Sequence, residues 1–90
     1  MKLERRHQDQ LMARLEDARL NGCAHLTWNE LYYWYDTQKI AARTYRDLET
    51  RWQELTNNDL GCLMRVDGRG GIFIFGESSP SKVDPDSTND

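Results

Sequence analysis

Apolar residues recur at helical spacing near the start of the chain, at Leu3, Leu11, Leu15 and Ala18, with His7 filling the gap on the same stripe. Arg5, Arg6, Asp9, Arg14, Glu16 and Asp17 fall elsewhere, so the spacing predicts an amphipathic first helix over residues 3–20. Asn21-Gly22 stops it, because glycine takes the left-handed conformation of a helix end at little steric cost. Cys23-Ala24-His25-Leu26 is too short for a helix and reads as a brief extended piece.

Thr27 opens a second helix on three signals: a hydroxyl that can cap it, Glu30 three residues on to complete a capping box, and Leu26 with Leu31 as a hydrophobic staple. Trp28, Leu31, Tyr32 and Tyr35 then share one face, which is expected to be buried, and Tyr33 and Trp34 fall off it. The polar run Asp36-Thr37-Gln38-Lys39 makes a connection. From Ile40 to Leu55 a third helix places Ala41, Thr44, Tyr45, Leu48, Trp52 and Leu55 on one side, and Arg43, Arg46, Asp47, Thr50 and Gln53 on the other. After the turn cluster Thr56-Asn57-Asn58-Asp59 the period changes from 3.6 to 2. Cys62, Met64 and Val66 alternate with Leu63, Arg65 and Asp67; Gly68-Arg69-Gly70-Gly71 turns the chain, and Ile72-Phe73-Ile74-Phe75 returns it as the second strand of a hairpin.

The expected order is therefore α-β-α-α-β-β in an α+β fold, the connectivity of a winged helix. There a three-helix cluster containing a helix-turn-helix carries a small antiparallel hairpin as its wing. Ninety residues allow one core, placed at residues 1–76. No apolar run is long enough to span a membrane, and the N-terminal residues lack a signal-peptide pattern, so a cytoplasmic protein with no membrane partner is expected.

Glu30-Leu31, Ala42-Arg43-Thr44-Tyr45-Arg46-Asp47-Leu48 and Gly68-Arg69-Gly70-Gly71-Ile72 resemble the winged-helix DNA-binding domain of DeoR-type bacterial transcription regulators over residues 27–76. In that family an Arg-Thr and an Arg-Asp-Leu lie in the recognition helix, and a glycine-rich turn tips the wing. The resemblance implies a transcription regulator of bacterial, phage or plasmid type that reads double-stranded DNA with its third helix.

For DNA readout, that helix would present Arg43, Arg46, Thr50 and Gln53 to the major groove, with Lys39 at its entrance and Arg65 and Arg69 on the wing touching phosphates or the minor groove. Charge changes the picture. Residues 1–76 hold eleven of the twelve Lys and Arg and eleven of the fifteen acids, so the body is neutral, and Asp47 and Glu49 share the helix with the arginines. A neutral body is a poor start for binding phosphates, and Arg43 could equally pair with Asp47 on a solvated face. The net charge of -3 comes from residues 77–90, a proline- and serine-containing acidic tail expected to be disordered, as a solubilising terminus or an arm competing with DNA.

The rival reading is a protein-binding module, such as a small phage-type inhibitor or adaptor of host nucleic-acid machinery. Tyr32-Tyr33-Trp34-Tyr35 points aromatic rings all around a helix, one packed face hides about half, and Tyr33 and Trp34 are the candidate anchors. Phe73 and Phe75 offer a second patch if one face of the hairpin is open. A homodimer through the first helix would suit either reading. No catalytic constellation stands out: His7 and His25 lack partners at metal spacing, and the glycine turn opens no helix and so is no phosphate cradle. Neither cofactor nor metal is expected. Cys23 and Cys62 are read as buried thiols, with a bridge between them left open.

Overall fold

The chain reverses at Thr27, and its residues dictate how. Thr27 Oγ1 accepts the backbone N–H of Glu30 at 3.0 Å, and a Glu30 carboxylate oxygen accepts the backbone N–H of Thr27 at 3.0 Å, which closes the capping box. Arg14 grips the same carboxylate through both guanidinium nitrogens, one at 2.9 Å, so the start of this helix is tied to the first helix. The computed structural model describes residues 3–78. It is an α+β fold of α1 (Arg5–Asn21), β1 (Ala24–Thr27), α2 (Trp28–Tyr35), α3 (Ala42–Thr56), β2 (Leu63–Asp67) and β3 (Gly71–Gly76). Residues 79–90, most of the expected tail, lie outside the described residues.

α1 ends as expected at left-handed Gly22, whose N–H bonds Ala18 O. α3 starts two residues later than its periodicity suggests. Thr37 Oγ1 donates to Lys39 O at 2.9 Å and accepts the Lys39 N–H, a local turn that competes with helix, and Ala41 is still extended.

β3 is the middle of a three-stranded antiparallel sheet ordered β1-β3-β2. Leu26 pairs with Ile72 and Ala24 with Ile74 on one side, and Arg65 with Ile74 and Leu63 with Gly76 on the other. The inner face, Ala24, Leu26, Ile72 and Ile74, packs into one core with Leu11 and Leu15 of α1, Leu31 and Trp34 of α2, and Leu48 and Trp52 of α3. Two glycines permit this. A Cβ on Gly71 would lie 2.0 Å from Leu26 O, and one on Gly76 would lie 3.1 Å from the Trp52 ring.

Two expectations are corrected. α2 buries Leu31, Trp34 and Tyr35, and Tyr32 is exposed with Trp28 half-buried. The cause is α1, which covers Trp34: its indole N–H donates to Gln10 Oε1 at 2.8 Å, and the Arg14 guanidinium lies 5.7 Å from its ring. Second, both cysteines are exposed and free rather than buried. Cys62, Met64 and Val66 turn away from the core, because Leu63, Arg65 and Asp67 share a face with Gly76, Ile74 and Ile72. The helices cover one face of the sheet and leave the other open.

Gly71→Ala is expected to cost about 3 kcal/mol or more, since the obstructing atoms are backbone, whereas Gly70→Ala, with open space around it, should stay within about 0.5 kcal/mol. Urea unfolding of the two variants checks this. A second outcome concerns acid. Burial pushes the Glu30 carboxyl up, but hydrogen bonds from Arg14 and from the Thr27 backbone and hydroxyl outweigh it and hold the group below its ordinary 4.5. Its contribution is therefore complete above that value and fades as pH falls through the lower folded-state value. Urea midpoints measured from pH 6 down to pH 2.5 should fall more steeply for the native chain than for Glu30→Gln.

Candidate nucleic-acid interface

α3 meets the core through Thr44, Leu48, Trp52 and Thr56, which are buried, so the opposite face, carrying Arg43, Arg46 and Thr50, is exposed. Glu54 is exposed toward the C-terminal end of that helix, and the character of the face around Arg43 and Arg46 is decided by where Asp47 and Glu49 go. Asp47 does not pair with Arg43. Its Oδ2 accepts the Tyr35 hydroxyl at 2.7 Å and Arg51 Nε at 2.8 Å, which ties α2 to α3. Burial and the Asp47 carboxylate together push the Tyr35 hydroxyl far above its usual value, so it remains a donor. Glu49 also turns aside: one oxygen accepts the Leu63 backbone N–H at 2.8 Å and the other the Gln53 side chain at 3.1 Å.

Arg43 and Arg46 are thus left exposed, with no ion pair or side-chain hydrogen bond among the described residues. Lys39 is exposed two residues before the Ala41 cap, and the Thr50 hydroxyl donates to Arg46 O at 2.9 Å. Gln53 is placed differently from expectation. Half-buried, it donates to Gly61 O at 3.0 Å and holds the α3–β2 connection rather than facing outward.

On the hairpin, Arg69 is exposed at the turn and has no ion pair among the described residues. Trp28 steadies that turn by donating its indole N–H to Gly68 O at 3.1 Å, and its own backbone N–H reaches Gly70 O at 3.1 Å. Arg65 is engaged: it pairs with Asp67 and lies 3.8 Å from the centre of the Tyr45 ring. The pairing of Arg65 with Tyr45 was invisible in sequence, where twenty positions separate them.

The candidate protein anchors part company. Tyr33 is 58% exposed and Trp34 only 2%, which removes Trp34 as a contact. Tyr33 stands beside His7, with ring centres 4.4 Å apart, over an open groove of about 1080 Å³ between the start of α1 and the α2–α3 connection. His7 Nε2 is buried there without a hydrogen-bond partner among the described residues. Phe73, 48% exposed, lies with His25 and Val66 in one row across the open face of the sheet, its ring stacked on His25 at 4.5 Å. Phe75 is half-buried on that face.

Among the described residues no group of three His, Cys, Asp or Glu is placed to hold a metal ion, and no helix is long and apolar enough to cross a membrane. The chain matches no protein-family model, no curated protein and no solved structure.

The exposed thiols give a direct check on the open face. Both should react with an aromatic disulfide reagent in the native protein. The negative charges of Glu77 and Glu49 push the Cys62 thiol up, so Glu77→Gln should speed the reaction of Cys62 and leave that of Cys23 unchanged.

Proposed function

We propose that this chain is a winged-helix DNA-binding regulator of bacterial, phage or plasmid type, with α3 as the helix that enters the major groove. The element order, the strand order β1-β3-β2 and the α2–α3 pair joined by a short connection support this reading, as does the resemblance of residues 27–76 to DeoR-type regulators. The observation that carries it is the inward turn of Asp47 and Glu49 on α3, which leaves Arg43 and Arg46 unpaired on the outer face.

The roles follow from side-chain chemistry. Arg43 and Arg46, one turn apart, offer planar forks that bond guanine O6 and N7 or a phosphate with two hydrogen bonds. Thr50 supplies a hydroxyl one turn further on. Lys39 before the helix and Arg69 at the hairpin turn bracket it with phosphate contacts that fix orientation and carry no sequence information. Arg65 acts here through packing, setting β2 against Tyr45, and Gln53 keeps its structural role.

A second reading is a protein-binding module, such as a phage-type inhibitor or adaptor of host nucleic-acid machinery. Exposed Tyr33 beside its groove and the apolar open face of the sheet favour it. The two readings differ in salt dependence. Fluorescence anisotropy of a random-sequence 30-base-pair duplex should show binding at low salt that weakens steeply as salt is raised. The Arg43→Ala/Arg46→Ala variant should bind at least about tenfold more weakly, with a salt slope shallower by about 2, and Tyr33→Ala should bind as the native chain does. No binding even at low salt overturns the DNA reading and leaves the protein-docking one.

A further inference from the structure

The two edges of the sheet are not alike. Backbone bonds alternate along an antiparallel strand, so every second residue of an edge strand aims its N–H and C=O away from the sheet. On β1 those residues are His25 and Thr27. Each already spends one of these groups: His25 O accepts Arg14 at 3.0 Å, and the Thr27 N–H is held in the capping box. On β2 the bonds Glu77 N–H to Cys62 O and Gly68 N–H to Gly71 O show that the even-numbered residues face β3. Leu63, Arg65 and Asp67 therefore face outward. Glu49 caps Leu63, and the backbone groups of Arg65 and Asp67 have no partner among the described residues.

We propose that this open stretch of β2 pairs antiparallel with β2 of a second copy of the chain, joining two three-stranded sheets into one of six strands about a two-fold axis at Val66. The occupant is identified by register and charge. Only residues that both face outward can exchange backbone bonds, so the outward set 63, 65 and 67 must pair with itself. Centring the pair on Arg65 sets like charges opposite each other and asks for the Leu63 N–H that Glu49 already holds. Centring it on Val66 sets Arg65 opposite Asp67 of the second copy twice over, forming four backbone hydrogen bonds and two unlike charge pairs.

The same register brings Val66, 55% exposed, beside its own symmetry mate on the open face. The row His25, Phe73, Val66 then continues unbroken into the second copy. A partner of other sequence would gain the backbone bonds but not this double charge match. The buried area is small, so the expected dissociation constant is weak, on the order of 100 µM. α1 offers less: the residues it turns outward are polar, Ala13 and Leu20 apart.

Sedimentation equilibrium of the 90-residue chain without DNA, from about 10 µM to about 1 mM, tests the proposal. The native chain should be a monomer at the low end and approach a dimer at the high end. Asp67→Arg, which sets arginine against arginine, should weaken the dimer at least tenfold, and Arg65→Asp/Asp67→Arg, which restores unlike pairs, should recover it. Amide exchange supplies a readout that needs no variant: the Arg65 and Asp67 amides should gain protection with concentration, while those of Met64 and Val66, bonded within the sheet, should not change. A native chain that stays monomeric throughout, a dimer that Asp67→Arg leaves intact, or concentration-dependent protection on α1 instead would each overturn it.

Discussion

Placement of every other element depends on how closely β3 is held between its neighbours. Gly71 lies so near Leu26 O that no side chain fits, and this contact locks β3 against β1 immediately before the Thr27 cap that launches α2. At the other end Gly76 lies against the Trp52 ring and the Leu60 backbone, which sets α3 on the sheet. A strand held at both ends by contacts of this kind leaves little freedom in register, and a slip of one residue would turn Ile72 and Ile74 out of the core. The directions of α2 and α3, and with them the face that α3 shows, follow from Gly71, where no side chain fits, and from Gly76, where one would be tightly packed.

Within that frame two of the three acids of α3, Asp47 and Glu49, act as struts rather than as surface charges, and Glu54 stays exposed. Asp47 joins Tyr35 of α2 to Arg51, and Glu49 caps the first residue of β2 while holding Gln53. Both carboxylates are half-buried and each accepts two hydrogen bonds, Asp47 through Oδ2 and Glu49 through both oxygens, so each stabilises the packing of α3 on its neighbours. Their removal from the outer face is a by-product of this bracing. One set of contacts thus both fixes the helix and leaves Glu54, near its C-terminal end, as the acid exposed on the outer side.

Local signals were legible in the sequence and non-local ones were not. The capping box at Thr27, the stop at Gly22 and the hairpin turn at Gly68–Gly71 each depend on residues a few positions apart, and they formed where expected. Four consecutive aromatics offered no such guide. Each step along a helix turns a side chain by about 100°, so Tyr32 and Trp34 were equally plausible core residues, and the choice was made by Gln10 and Arg14 on another helix. The alternation along β2 likewise named two faces without saying which was inward. Arg65 took the inward side because Tyr45 gives its guanidinium a ring to lie on, and that left Cys62, Met64 and Val66 outside. The third helix began late because Thr37 spends its hydroxyl on a turn, a competition that periodicity does not register.

Net charge alone is a poor guide to such a domain, because ion pairs consume cations unevenly. Five of the basic residues, Arg6, Arg14, Arg19, Arg51 and Arg65, are matched to carboxylates among the described residues. Arg5, Lys39, Arg43, Arg46 and Arg69 are not, and three of these five belong to α3 or to the connection that leads into it. Of the acids without an ion pair among the described residues, Asp9 and Asp17 lie on the outer side of α1, Asp59 beyond the end of α3 and Asp36 at the end of α2, while Glu54 is exposed near the C-terminal end of α3. At physiological ionic strength a charge is felt over roughly 8 Å, less than the length of either helix. A ligand approaching the N-terminal half of α3 therefore meets the local excess of cations around Arg43 and Arg46, and not the zero that the whole body sums to.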